Sequence, residues 1–221
     1  MIKRIFFKIT TMSLVFLVSL NCAKKGDNNE DLLDLIVATN LKLTNANSFT
    51  SCQNSTFCRT FIAKNNGVGF LGDLGGVVGA DAKCASERPS GFTGAYKALL
   101  VSNGTRTISP TKVDWVLFAN KEYRRQDGTT VTFTTNAQAI VTANFTNGID
   151  GGAQTFFWDG LSDAAWNVGS TCQGWTSVNA GDIGNAGNTT DTSAFGAGTG
   201  GAFAIDSWNC NARQNLLCIE Q

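Results

Sequence analysis

NLLCIEQ, residues 215–221, sets Cys218 inside a short apolar run. The run reads as a strand, and SWNC, residues 207–210, reads as another just before it. Chain termini usually fray. A cysteine placed here raises the question of which other cysteine it meets.

The chain has seven cysteines, Cys22, Cys52, Cys58, Cys84, Cys172, Cys210 and Cys218, and no histidine. Cys22 stands apart. It follows Lys3, Arg4 and Lys8 and an apolar run, residues 12–20, that is too short to span a bilayer as a helix. Residues 1–21 therefore read as a secretory signal, either a plain one cut near Asn21 or a bacterial lipoprotein signal with Cys22 as the lipid-bearing residue. The lipoprotein reading is the one we follow. Ser19, Leu20 and Asn21 depart from the common lipobox at two places and are similar to the relaxed lipoboxes of spirochaete lipoproteins. On either reading six cysteines remain, an even number suited to an oxidising compartment. Cys52 and Cys58 flank a turn-like QNSTF and suit a local bridge; the other four allow three pairings. With no CxxC pair and no histidine, a zinc site is not expected.

The formal charge is zero, from 17 basic and 17 acidic residues. Without residues 1–21 the basic count falls to 14 and the net charge to −3, since Lys3, Arg4 and Lys8 leave and no acid does. That is not the balance of a nucleic-acid binder. Nothing after residue 21 has the length and apolarity of a membrane span, so attachment would be by lipid alone.

Residues 22–50 read as a lipidated tether, polar at first, then able to form a short helix with Leu32, Leu33, Ile36 and Val37 on one face. Residues 51–221 read as the folded domain. CRTFIAK (58–64) is a first strand. GADAKCASERP (79–89) is a short helix, with Asp81 in its first turn and a stop before Pro89. GAYKALLVS (94–102) and DWVLF (114–118) are strand-like, the second with both faces covered. KEYRRQDGTTVTF (121–133) turns at Asp127-Gly128 and then alternates through Val131 and Phe133. AIVTANF (139–145) also alternates, and TFFWDGLSDAAWN (155–167) carries two tryptophans around a polar turn. Residues 179–204, rich in Gly, Asn, Thr and Ala, read as a long irregular surface loop.

GADAKC (79–84), YKALLVS (96–102), DWVL (114–117), CQGW (172–175), SWNC (207–210) and LLCIEQ (216–221) occur in that order. On these motifs, across residues 56–221, the chain resembles the leptospiral endostatin-like lipoproteins. That family is related to the endostatin domain of collagens and more distantly to the C-type lectin-like fold. The resemblance implies an α+β domain with a mixed, mostly antiparallel sheet, one or two helices, long loops and disulfide bracing. It implies nested pairs, Cys84 with Cys218 and Cys172 with Cys210, with Cys52–Cys58 outside that core. It also implies a surface-exposed outer-membrane adhesin for host matrix or plasma proteins such as laminin, fibronectin, plasminogen or factor H. Two departures count. The EPN or QPD triplet of calcium-dependent lectins is missing, and without histidine the zinc site of endostatin does not carry over.

Catalytic chemistry has little to work with, since a Ser-His or Cys-His pair is impossible. Asp159 and Asp163 are the nearest paired carboxylates, and capping the loop around Trp158 and Trp166 is their plainer use. Neither an enzyme nor a cofactor is expected. Asp182, Asn185, Asn188, Asp191, Asp206 and Asn209 offer oxygens to calcium, or simply form turns. Lys121, Arg124 and Arg125 around Tyr123 form the candidate ligand patch, suited to sulfated glycans or acidic protein segments. The rival readings are a calcium-dependent glycan-binding lectin and a structural envelope lipoprotein with no host ligand.

Overall fold

The computed structural model describes residues 51–195, 201–204 and 206–221. The expected signal, Cys22 and the 22–50 tether lie outside the described residues. Eight strands are described: β1 (Phe57–Ala63), β2 (Tyr96–Ala98), β3 (Glu122–Arg124), β4 (Val131–Thr134), β5 (Phe156–Trp158), β6 (Ile183–Asn188), β7 (Asp206–Asn209) and β8 (Leu216–Glu220). Two helical segments accompany them, α1 (Gly76–Ser86) and the single turn α2 (Cys172–Trp175). The class is mixed α+β, and all the strand pairs are antiparallel except β1 with β3.

A five-stranded sheet runs β2-β8-β1-β3-β4 and a three-stranded sheet runs β5-β6-β7. β8 lies inside the larger sheet, where Cys218 is level with Phe61 on one side and Ala98 on the other. Leu216, Leu217, Cys218 and Ile219 are all fully buried. Period-two alternation sends Leu217 and Ile219 into one core and Leu216 and Cys218 into the other. The first core is aromatic, with Tyr123, Phe133, Phe145, Phe157, Trp166 and Phe203. The second lies under α1 and holds Phe61, Leu74, Tyr96, Trp158 and Trp175. A strand covered on both faces reads as a continuous apolar run, which is why LLCI is so uniform. Each buried leucine contributes about 1.5–3 kcal/mol relative to exposure.

Three disulfides form: Cys52–Cys58, Cys84–Cys218 and Cys172–Cys210, with Cα–Cα distances of 5.2, 5.6 and 5.6 Å. Cys218 thus fixes β8 to α1. The nested pairing implied by the resemblance is the one observed, and the local bridge staples β1 to the short 3₁₀ turn Cys52–Asn54.

Four local readings need correction. α1 begins at Gly76, three residues before GADAKC, so Asp81 is mid-helix and does not act on the helix N-terminus. Its carboxylate instead grips the fully buried Arg106 through both guanidinium nitrogens, at 2.9 and 2.7 Å, and accepts from the Ala98 amide. A planar guanidinium meeting two carboxylates, Asp81 and Asp114, is how so buried a charge is kept. DWVLF is not a strand. Side chains serve its backbone instead of a neighbouring strand: the Phe118 amide donates to the Tyr123 hydroxyl, and the Val116 carbonyl accepts from Gln221. AIVTANF forms no strand either; Val141 and Phe145 are buried and Ala143 is exposed.

The largest correction falls on residues 179–204. The segment is not one surface loop, because it contains β6, the middle strand of the smaller sheet. Its glycines are there for close approach, not slack. A Cβ on Gly184 would meet the Cys172 sulfur at 2.7 Å and the Trp158 ring at 3.0 Å. One on Gly187 would meet the Ala202 carbonyl at 2.1 Å and the Phe157 ring at 2.5 Å. The missing side chains are the space that the tryptophan, the phenylalanine and the disulfide occupy.

Candidate binding surface

The predicted patch of Lys121, Tyr123, Arg124 and Arg125 does not face solvent as a unit. In β3 the side chains alternate, and Tyr123 points inward, fully buried and stacked on Phe133 at 4.9 Å between ring centres. Its hydroxyl accepts from the Phe118 amide at 2.7 Å, and burial pushes its phenol pKa up. Lys121 is 8% exposed, and its ammonium caps the 3₁₀ turn through the carbonyls of Gln53 at 2.8 Å and Cys52 at 3.3 Å. Arg125 folds back on the Gly148 carbonyl at 2.9 and 2.7 Å and on that of Asp150 at 3.2 Å. Three of the four are therefore committed to holding the fold. Arg124 too donates to a backbone carbonyl, that of Gly128 at 3.0 Å, but its guanidinium also lies over an aromatic ring at a candidate surface.

That surface is different from the predicted one. β1 and β3 run parallel with Arg59 level with Arg124 and Phe57 level with Glu122. Phe57 and Arg59 share one face of β1 with Phe61 and Ala63, which lie in the core under α1. The Arg124 guanidinium lies 4.1 Å from the centre of the Phe57 ring. The Arg59 guanidinium lies 5.3 Å from the same ring and 5.5 Å from Phe92. Two cations thus share one aromatic ring. Each such contact is worth about 0.5–1 kcal/mol at an exposed site, enough to hold the guanidinium planes in place.

The carboxylates nearby are partly spent. Glu220 accepts from the Arg59 backbone amide at 2.7 Å, and Glu122 pairs with Arg124 Nε at 2.6 Å. Among the described residues the Arg59 side chain makes no salt bridge. Phe57, Arg59, Phe92 and Arg124 are all half-buried, and the exposed Arg88 donates to the Gly94 carbonyl at 3.0 Å. Beneath them lies Tyr96, whose ring centre is 5.9 Å from that of Phe92. Its hydroxyl is buried without a hydrogen-bond partner, and burial, then Glu220, push its pKa up while Arg59 and Arg88 pull it down. A strip of arginines and phenylalanines over an unspent hydroxyl can take a carboxylate or sulfate through guanidinium N–H groups and apolar surface through the rings.

Arg59 lies in CRTFIAK and reads there only as part of a strand. Its place on the same face of β1 as Phe57 was available from alternation. Its pairing with Arg124 was not, since parallel neighbours far apart in sequence leave no local trace.

The other candidates separate. Asp159 is fully buried, accepts from the amides of Leu161 at 3.0 Å and Ala204 at 2.8 Å, and has its pKa raised by burial to about 7 against the pull of those donors. Asp163 is exposed and accepts from the amides of Ala165 and Asn167. Each carboxylate is spent on backbone amides, Asp159 inside the fold and Asp163 at its surface. In the proposed calcium set, Asn185 holds the Ser170 amide and the Leu161 carbonyl, Asn188 the Thr190 amide, Asp191 the Ser193 amide, and Asp182 the Ser177 hydroxyl. Asp206 accepts from the next amide, that of Ser207. Among the described residues no three Cys, Asp or Glu side chains gather as a metal site. Trp158, Trp166 and Trp175 are fully buried, and each indole donates to a backbone carbonyl.

The sequence model of a family described as "Protein of unknown function (DUF1554)" matches residues 67–192, more than half of the chain. The match takes in α1, α2 and β2 to β6 and leaves out β1, β7 and β8, so Cys210 and Cys218 bond to it from beyond its limit. No curated protein matches the chain.

Proposed function

The chain belongs to the DUF1554 family, and from that premise we propose that it is a non-catalytic binding protein, an adhesin-type lipoprotein of the bacterial cell surface. It is held in the outer membrane by lipid on Cys22 and binds host matrix or plasma proteins, with laminin, fibronectin, plasminogen and factor H as the first to test. The observation that carries the reading is the Phe57–Arg59–Phe92–Arg124 strip. Arginine and large aromatics are the residue types that dominate protein–protein hot spots, and here they are fixed in place before any partner arrives. Support also comes from the resemblance to endostatin-like lipoproteins and from the disulfide bracing, which suits an extracellular compartment.

Two measurements test this. Intact cells treated with protease should lose the domain, whereas protection until the outer membrane is broken would rule out an adhesin. The oxidised chain should bind at least one of the four host proteins, with an affinity that falls as salt rises and survives EDTA. Binding abolished by EDTA would favour the calcium-dependent lectin instead.

A further inference from the structure

The arginine strip has a floor, a wall and a roof. The floor is Tyr96, 4% exposed, whose hydroxyl is fully covered and has no hydrogen-bond partner. A hydroxyl so enclosed and unpaired is costly unless something satisfies it. Tyr96 lies level with Glu220 across the β2–β8 ladder, and the charges that act on its hydroxyl are those of Glu220, Arg59 and Arg88. Burial, and then Glu220, push its pKa up, so it keeps its proton and stands ready to donate.

The wall is Arg59. Its guanidinium packs against the Phe57 ring, the Phe92 ring and the Asp127-Gly128 turn, where a Cβ on Gly128 would lie 3.1 Å from Nη2. Contacts with ring faces fix the guanidinium plane and leave its N–H edge to a ligand. The roof is Phe92, half-buried and stacked on Tyr96 with 26° between the rings. It sits on a short loop among the exposed Ser90, Gly91 and Thr93, and Gly91 has a φ of 85°. Phe92 is the one cover over the hydroxyl that a loop can carry aside, since Phe57 and Arg59 are held in β1.

Resting on the strip as the binding face, we propose that its ligand group is a tyrosine O-sulfate on the partner protein. Arg59 and the Tyr96 hydroxyl hold the sulfate, and the ligand ring takes the place of Phe92. The hydroxyl is covered, so the anion must be carried down to it; the far end of a rigid ring does this and a short acidic side chain does not. Turning Phe92 aside breaks its contacts with Tyr96 and Arg59. A ligand ring restores both, whereas a sulfated sugar or a glutamate restores neither. The charges acting on the hydroxyl, two arginines and one glutamate, leave one positive charge over. A sulfate ester matches it with one negative charge, while a phosphate ester brings about −1.5 to −2 at pH 7. The sulfate oxygens also point in different directions, so guanidinium and hydroxyl can donate to it together.

The test is isothermal titration calorimetry on the full oxidised chain. The probes are a capped, otherwise neutral pentapeptide with tyrosine O-sulfate at its centre, the same peptide with tyrosine, phosphotyrosine or glutamate there, and a heparin disaccharide. The sulfated peptide should bind with a dissociation constant below about 1 mM, and each of the others at least about tenfold more weakly. Tyr96→Phe should weaken the sulfated peptide about tenfold, or 1.4 kcal/mol. Because the hydroxyl it removes is unpaired, the same variant should melt no lower than the parent. Phe92→Ala should tighten binding, since the closed roof no longer has to open. No binding of the sulfated peptide, equal binding of any other probe, unchanged affinity in Tyr96→Phe or a loss in Phe92→Ala would overturn the proposal. Host-protein binding that Tyr96→Phe leaves intact would overturn it too, while leaving the adhesin reading in place. Sulfated-peptide binding by a chain that takes up none of the host proteins would support it and count against the adhesin.

Discussion

The two sheets are built from opposite materials. β8, inside the larger, is LLCIE, four buried apolar residues in a row, and its neighbours alternate as strands should. β6, in the middle of the smaller, is IGNAGN, whose one large residue, Ile183, is exposed. The first is driven inside by the apolar area it hides. The second is admitted because it takes up so little room that Trp158, Phe157 and a disulfide can lie against its backbone. Apolar content is therefore one of two ways to make a central strand, and shape is the other. The larger sheet also carries the charged and aromatic strip.

Each sheet has its own long-range disulfide, so removing them one at a time gives the largest contrast. Cys84 and Cys218 close a separation of 134 residues and Cys172 and Cys210 one of 38. In the chain-entropy model these amount to about 5 and 4 kcal/mol. Replacing both cysteines of each pair by alanine should lower the denaturant midpoint in that order, with the larger loss for Cys84–Cys218. The reverse order would mean that the smaller sheet depends on its bridge more than the larger does.

The next contrast sets a deletion against an addition. Leu217→Ala in β8 should cost about 2–5 kcal/mol through the cavity it leaves. Gly187→Val in β6 should cost about 3 kcal/mol, at the upper end for overpacking, since its Cβ would press on the Ala202 backbone. Urea unfolding of the two variants checks both. A Gly187→Val protein as stable as the parent would show that β6 is not packed as described.

This contrast also marks what could be read in advance. β1, α1, the Asp127-Gly128 hairpin and β8 follow from alternation, a helical stretch ended by Pro89 and turn chemistry, all of them local. β6 could not be read that way, because glycine and asparagine signal loops whenever their neighbours in space are unknown. The same limit applies at the surface. KEYRR looks like a basic patch in one dimension, yet alternation buries Tyr123 while Lys121 and Arg125 turn to backbone carbonyls. Arg59, the residue that completes the strip, is supplied by another strand. The cysteine nesting was reached through family resemblance, since four cysteines by themselves leave three pairings open.

A smaller effect lies where the two sheets share a core. Asp159, next to β5, is charged at neutral pH only at the expense of burial, and its pKa rises to about 7 from an ordinary value near 4. The folded state therefore binds its proton more tightly. The stability this contributes is full below about pH 4 and is lost as pH rises through about 7. Asp114, Asp150 and Asp163 are shifted the other way against burial, Asp114 by Lys97 and Arg106, Asp150 by Lys64 and Asp163 by Asn167, and their contribution is lost as pH falls below the usual carboxylate range. Between pH 5 and 8 the parent should melt lower as pH rises. Asp159→Asn should flatten that slope, and an unchanged slope would assign it to another group.

The proposed binding face is tested most directly by removing its two guanidinium charges. Arg59→Gln with Arg124→Gln should lower stability by about 1–3 kcal/mol, as three guanidinium–ring contacts are lost, and leave the domain folded. Binding to immobilised laminin, fibronectin, plasminogen and factor H is then titrated against salt for both proteins. The account predicts that the parent binds at least one of them with salt-sensitive affinity, and that the variant loses at least about tenfold, or 1.4 kcal/mol, and most of the salt dependence. Equal affinity and equal salt dependence in the two proteins would contradict it.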